Sequence, residues 1–178
     1  MSTVLEKDEI IMQLANISGE MTRYCAGVEE SLFFIQPAEK WSIAENIRHL
    51  ITSANTTRLA FSLPRFLIRV YAGKPNRNSR DYNELVAKYN LALAQGGKAS
   101  GRYIPKRSAE PENKQKLLSK FSGAMDKLIN SIQKNWNDPQ LDKYIVPHPL
   151  LGKITLRELG YFTIFHTEHH LTTIKSRM

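Results

Sequence analysis

Cysteine is almost absent from this sequence, since Cys25 is the only one among its 178 residues. A single thiol excludes an intramolecular disulfide and a cysteine cluster that binds zinc or an iron–sulfur group. Any metal site in this chain must therefore use histidine and carboxylate side chains. Cys25 itself falls on the apolar face of the first predicted helix, and we predict a small core residue there rather than a nucleophile.

Long hydrophobic runs are also missing. The longest nearly apolar stretches, around residues 31–35 and 161–165, are far shorter than the ~18–20 residues that a membrane-spanning helix needs. The N-terminal residues mix charges of both signs, whereas a signal peptide has a basic start followed by an apolar block. We therefore expect no membrane partner and a cytoplasmic location.

Acidic residues are few relative to basic ones. There are 17 Asp and Glu against 25 Lys and Arg, which gives a formal net charge of +8 and suits an anionic partner. Arg58, Arg65 and Arg69 recur at steps of seven and four, and no acidic residue lies between Arg58 and Arg80. This arginine stripe could steer an anionic cosubstrate, but a solvated helix face is the favoured interpretation.

A nucleic acid is another partner that this charge permits. Four basic residues of the long loop after Gly97 could contribute to such a surface: Lys98, Arg102, Lys106 and Arg107. The sequence contains no recognition-helix motif and no aromatic stacking platform, however, and this argues against nucleic-acid binding.

Apolar residues recur at helical spacing along most of the chain. This spacing predicts five helices, over about residues 6–34, 43–72, 80–95, 110–136 and 156–178. No stretch shows the two-residue alternation of a half-buried strand, and the proline-rich residues 137–154 are predicted to form an irregular connection. We predict a single domain over residues 1–178, an all-α bundle of four principal helices with one additional short helix and long connecting loops.

Local signals mark the ends of these helices. Ser42 with Glu45, and Thr155 with Glu158, have the spacing of capping boxes and predict two helix starts. The pair Gly96-Gly97 predicts the end of the third helix.

Pro64 interrupts the second predicted helix. Proline has no N–H and removes one backbone hydrogen bond, so we expect a kink at this position. The apolar face of the helix is predicted to continue past the kink through Leu63, Leu67 and Val70.

Histidines provide the sharpest chemical signal, because three of the five lie close together near the C-terminus. His166 and His170 are four residues apart, so they lie one turn apart on one helix face and can both point at one metal ion. A zinc-type site needs a third protein ligand, and His49 is the candidate. It shares a strip of its helix with small polar residues, namely Ser42, Asn46, Ser53 and Thr56. The alternative is that the three histidines are ordinary core-edge residues.

Three neighbouring residues have alternative interpretations. His169 lies about 100° around the helix from His170 and is predicted to be peripheral, with a His166/His169 pair as the weaker alternative. Glu45 could be a fourth ligand or a base, but the capping role is favoured. His148 stands between two prolines, where it could contribute to a lid or to the mouth of the site, although plain loop structure is favoured.

Two segments resemble the DinB-like superfamily of metal-binding four-helix bundles, which includes the YfiT-type proteins and several thiol-dependent transferases. Residues 40–50 look like the Trp-Ser start of the helix that bears that family's first ligand. Residues 148–158 contain Pro-x-x-Gly-x-x-Thr-Leu and lead to the His-x-x-x-His of the last helix. The resemblance covers most of the chain, and residues 74–111 match less well.

The resemblance implies a bundle in which His49, His166 and His170 surround a divalent metal ion such as zinc, nickel or iron, often in a homodimer. Such an ion would lower the pKa of a bound water or of a low-molecular-weight thiol such as bacillithiol or glutathione. The first case predicts a hydrolase and the second a thiol transferase acting on a small-molecule substrate, and the resemblance slightly favours transfer. The alternative is a non-catalytic metal- or ligand-binding bundle in a stress response.

Overall fold

The computed structural model describes residues 4–38, 40–106 and 113–176. Within these residues the helices are α1 (Lys7–Gly27), α2 (Glu30–Phe34), α3 (Ile43–Ser62), α4 (Arg65–Ala72), α5 (Tyr82–Ala94), α6 (Lys114–Asn135) and α7 (Leu156–Lys175). Two short strands, β1 (Ile145–His148) and β2 (Gly152–Thr155), form a hairpin. Because the hairpin is the only sheet in the described part of the chain, the predicted all-α class is confirmed.

The four long helices α1, α3, α6 and α7 form the bundle. Both α1 and α3 pack against α6 and α7, so the four helices surround a common core. Each helix contributes one row of apolar side chains to this core. The largest include one residue from each helix, namely Met21, Phe61, Phe121 and Tyr161. The shorter helices lie outside the bundle, with α5 on α7 and α2 on α3.

Both predicted capping boxes are present. The amide of Glu45 donates to Ser42 Oγ at 3.1 Å, and the amide of Ser42 donates to Glu45 Oε2 at 2.7 Å. Thr155 and Glu158 form the same reciprocal pair at 3.2 and 2.8 Å. These boxes satisfy amides that the first helical turn leaves unpaired, and they fix the starts of α3 and α7, which carry the histidines.

The first predicted helix differs from the prediction, and the start of the fourth is not tested. The first predicted helix is divided, because α1 ends at Gly27 and Val28 is extended before α2 begins. The predicted start of the fourth helix near residue 110 lies outside the described residues, as does Arg107. Of the helices in the described ranges, none is long and apolar enough to cross a membrane.

The prediction that the apolar face of the second helix continues past Pro64 is wrong. Leu63 takes an extended conformation before Pro64, which separates α3 from α4 instead of kinking one continuous helix. The helix is interrupted at these two residues, so the apolar row of α3 does not continue onto α4. Leu67 and Val70 are 41% and 82% exposed, whereas Ile68 of α4 is buried.

Residues 137–154 were predicted to be irregular, but they contain the β-hairpin. Its antiparallel register pairs Ile145 with Thr155 and His148 with Gly152. Strands of four residues are too short to show a clear alternation in sequence. Gly152 has φ of 73°, a left-handed conformation that glycine adopts without strain, so it allows the tight return of the chain.

Two arginines of the stripe, Arg65 and Arg69, pack on neighbouring aromatic rings. The Arg65 guanidinium lies 5.1 Å from the centre of the Trp136 ring and donates to the carbonyl of Asn135 at 2.6 Å. The Arg69 guanidinium lies 4.7 Å from the centre of the Tyr144 ring. These contacts join α4 to α6 and to the segment before the hairpin.

Cys25 is fully buried in α1, as predicted for a core residue. Burial raises the pKa of its thiol to about 12, with a smaller opposing effect from Lys114. The thiol therefore stays protonated at neutral pH and is a poor nucleophile.

The loop after α5 begins with a tight glycine turn. The amides of Gly96 and Gly97 donate to the carbonyls of Leu93 and Ala92 at 3.0 and 2.9 Å, a Schellman motif that confirms the predicted helix end. A Cβ on Gly97 would lie 2.6 Å from the Ala92 carbonyl oxygen and 3.2 Å from Leu150 of the hairpin. The loop therefore approaches the hairpin closely only because residue 97 has no side chain.

We expect Gly97→Ala to lower the free energy of unfolding by about 1–3 kcal/mol, because the new methyl group collides with a backbone oxygen. Gly123→Ala is the control, since no heavy atom lies within 4 Å of a Cβ built at this position in α6. That variant is expected to gain about 0.5–1 kcal/mol. Urea unfolding followed by circular dichroism measures both, and equal stabilities would contradict the close approach.

Candidate metal centre

Three buried histidines from two helices meet at one point of the bundle. His49 projects from α3, and His166 and His170 project from successive turns of α7. The Nε2 atom of His166 lies 3.0 Å from Nε2 of His49 and 3.1 Å from Nε2 of His170. The packing of α3 on α7 therefore brings together the three residues that sequence analysis selected.

Hydrogen bonds on the opposite side of the rings fix which nitrogen carries the proton. His49 Nδ1 lies 2.7 Å from the backbone carbonyl oxygen of Tyr103, which can only accept, so this nitrogen donates. His170 Nδ1 lies 2.7 Å from Asn46 Oδ1, while the amide nitrogen of Asn46 donates to the Ser42 carbonyl at 2.8 Å. With Nδ1 protonated, the Nε2 atoms of His49 and His170 present lone pairs to the centre.

The lone pairs of His49 and His170 both face His166 Nε2. When the proton of His166 lies on Nδ1, which is 3.5 Å from Ser53 Oγ, all three Nε2 lone pairs meet at one point that a cation can fill. A proton is a poor candidate, because burial and then the neighbouring His170 and His49 hold the pKa of His166 well below its usual range. Burial also lowers the pKa of His49, although its bond to Tyr103 acts in the opposite direction. Neutral imidazoles with converging lone pairs are the ligands that a divalent transition metal prefers.

The spacing of the nitrogens also fits a metal ion. Two ligands of a tetrahedral ion with bonds of about 2.0–2.1 Å are separated by roughly 3.3 Å. The two Nε2 distances from His166, 3.0 and 3.1 Å, lie within a few tenths of an ångström of this value, and all three ligand atoms lie within 4.8 Å of one another. The donors on Nδ1 hold the rings in place, as is usual for histidines that bind metals.

A cavity of about 220 Å³ opens beside the three histidines. Its walls come from α3, α5 and α7, from the loop after α5, and from the hairpin. Aromatic rings form much of the lining, contributed by Trp41, Tyr89, Tyr103 and Phe162. Among the described residues, no carboxylate lines this cavity, and Lys98 is its one charged side chain. The histidine centre is thus accessible to a small molecule from one side.

The structure also places the other candidate residues. The carboxylate of Glu45 takes part in the cap of α3 and does not line the cavity, which agrees with the favoured interpretation. His169 lies on the cavity wall, with its ring 5.5 Å from that of His170 and nearly perpendicular to it. It does not join the group of three converging nitrogens, so a peripheral position was the better prediction.

The favoured interpretation of His148 as plain loop structure is wrong. His148 ends β1 and lines the cavity, with its ring centre 4.2 Å from that of Phe162, which agrees with the alternative of a contribution to the mouth of the site. Sequence analysis missed Tyr103. Tyr103 orients His49 through a backbone oxygen, which no side-chain pattern can signal. Asn46 was noted only as a small polar residue on the strip beside His49, and nothing in the sequence indicated that its side chain would bind His170.

Asn46→Leu is expected to weaken metal binding by roughly 10–100-fold, because His170 loses the acceptor that fixes its orientation. Asn135→Leu serves as a control, since the amide of Asn135 also donates to a backbone carbonyl, that of Phe61, but contacts none of the histidines. Competition with a chelator of known affinity measures both variants. Equal affinities would contradict the role given to Asn46.

Comparison with known proteins adds one finding. The family model described as the DinB superfamily matches residues 20–174, a range that contains all three histidines. In a search of curated proteins, none matches this chain.

Proposed function

The chain belongs to the DinB superfamily, and we propose that it is a metal-dependent thiol transferase. In this proposal His49, His166 and His170 hold one divalent ion, and the adjoining cavity holds a low-molecular-weight thiol and its electrophilic partner. The observation that carries the proposal is the convergence of three Nε2 atoms on one accessible side of the cavity.

Thiol transfer is favoured over hydrolysis by what lines the cavity. Hydrolytic zinc sites of the His-Glu-x-x-His type use a carboxylate as general base for water. Within the described residues, no carboxylate lines this cavity. A bound divalent ion would supply the lowered thiol pKa directly, so a thiol needs no such base.

The residues of the chain orient the imidazoles, exclude water and pack against the substrate in this reaction. Tyr103 and Asn46 orient two of the imidazoles through Nδ1. The aromatic walls, including Trp41 and Phe162, exclude water and pack against the apolar part of the electrophile. The thiol proton leaves to solvent, a sulfur lone pair forms the new S–C bond, and the leaving group takes the electron pair of the bond that breaks.

The proposal is tested with tag-free protein loaded separately with zinc, nickel or iron. We expect glutathione or bacillithiol to react with chlorodinitrobenzene faster with loaded protein than with the metal-free protein or with His49→Ala. Ester hydrolysis without consumption of thiol would contradict transfer. Thiol binding without any rate enhancement would instead support a non-catalytic binding protein and overturn the proposal.

A further inference from the structure

His148 is held in one tautomer by its own hairpin. The backbone amides of Leu150 and Leu151 donate to His148 Nδ1 at 3.3 and 3.2 Å. Because Nδ1 accepts, the proton of the neutral ring lies on Nε2. Burial lowers the pKa of His148 to about 4, so the ring is neutral at physiological pH.

The remaining nitrogen of His148 is available to a ligand. Over residues 4–38, 40–106 and 113–176, nothing in the protein forms a hydrogen bond with its Nε2, although the ring lines the cavity. The hairpin fixes the ring, since His148 pairs with Gly152 and packs edge-on against Phe162. His148 therefore brings to the cavity wall a fixed ring whose N–H has no acceptor among the described residues.

The charges of the cavity wall limit the class of ligand. Lys98 lies at its edge on the loop after α5, and no described Asp or Glu faces it across the cavity. A positive charge and an N–H donor without acceptor carboxylates favour an anionic group. Both His148 and His166 contact the Phe162 ring, so a ligand of a few carbon atoms can reach from one imidazole to the other.

We propose that the cavity selects a thiol that carries a carboxylate, whose oxygen accepts a hydrogen bond from His148 Nε2–H while its sulfur lies at the three histidines. This inference rests on the proposed function, because it uses the metal centre as the anchor for sulfur. It adds a binding residue outside the metal centre and names the group of the thiol that this residue recognises.

Three small thiols test the proposal by calorimetry with the zinc-loaded protein. Mercaptopropionate, mercaptoethanol and cysteamine share a thiol on a two-carbon spacer but end in an anionic, a neutral and a cationic group. We expect mercaptopropionate to bind at least about tenfold more tightly than cysteamine. Equal affinity for the three thiols would overturn the inference.

His148→Asn isolates the hydrogen bond. The asparagine oxygen can still accept the amides of Leu150 and Leu151, but no donor remains in the place of Nε2–H. We expect the variant to keep its zinc and its affinity for mercaptoethanol, and to bind mercaptopropionate about 10–100-fold more weakly. An unchanged affinity for mercaptopropionate would overturn the role of His148.

Lys98→Met separates the two sources of attraction for the anion. We expect this change to have a smaller effect than His148→Asn, because Lys98 is exposed and its charge is screened by salt. If Lys98→Met loses the preference for mercaptopropionate over cysteamine while His148→Asn keeps it, the charge of Lys98 determines the selectivity, and the inference is overturned. If no thiol binds the zinc-loaded protein, the proposed function itself fails, a result distinct from equal binding of all three.

Discussion

Replacing Glu158 with alanine is expected to lower the free energy of unfolding by about 3–5 kcal/mol. The carboxylate is fully buried and accepts a bidentate pair of bonds from Arg77 at 2.7 and 2.8 Å. It also accepts from the side chain and amide of Arg80 and from the amide of Thr155. Its removal leaves two guanidinium groups without their counter-charge and releases the chain before α5 from the start of α7.

Glu84→Ala provides a matched control for this large effect. Glu84 occupies the same third position of a capping box, in α5 with Asp81, but it is exposed. Loss of the cap alone is expected to cost about 1 kcal/mol or less. Similar losses in the two variants, measured by chemical denaturation, would contradict the contribution of the buried ion pairs.

The pKa of Glu158 predicts that the free energy of unfolding depends on pH. Burial by itself raises the pKa of Glu158, but the hydrogen bonds from Arg77, Arg80 and Thr155 outweigh this effect, and the net pKa is lowered from 4.5. A lowered native pKa stabilises the fold above the pKa of the unfolded chain, and this stabilisation is lost as the pH falls through the native value. The difference in stability between wild type and Glu158→Gln should therefore shrink below about pH 4.5.

His166→Ala is expected to abolish stoichiometric metal binding. His166 Nε2 is the atom that lies close to both of the other ligand nitrogens, so its loss removes the centre of the cluster. The fall in affinity should exceed the roughly 10–100-fold that follows from loss of a hydrogen-bond partner of a ligand. Metal analysis of tag-free protein after dialysis measures the effect, and circular dichroism checks the fold.

His169→Ala is the control on the same helix. Its imidazole lines the cavity but does not belong to the converging cluster. We expect this variant to retain most of its metal. Equal metal content in the His166 and His169 variants would contradict the ligand assignment.

The positions of the three histidines could be predicted because regular helices carry them. The capping boxes at Ser42 and Thr155 fix where α3 and α7 begin, and helical periodicity then fixes which face each imidazole occupies. His166 and His170 share a face by their spacing alone. Periodicity does not determine that His49 meets that pair. The need for a third ligand and the polar strip beside His49 selected this residue, and the resemblance to a known family implied the same set.

Features that depend on irregular or short segments could not be predicted. The Tyr103 carbonyl reaches His49 only because a 3₁₀ turn at Gly101–Tyr103 packs on α3. The tautomer of His148 depends on amides that the hairpin turn brings to its Nδ1. Leu67 and Val70 were misplaced because the apolar row was extended through Pro64, where the helix is interrupted.

X-ray absorption spectroscopy of tag-free protein with one equivalent of zinc tests the ligand set most directly. The account predicts one ion per chain with three imidazole nitrogens at about 2.0–2.1 Å, and loss of this signature in His166→Ala. Substoichiometric zinc, or an ion surrounded by oxygen ligands alone, would contradict it.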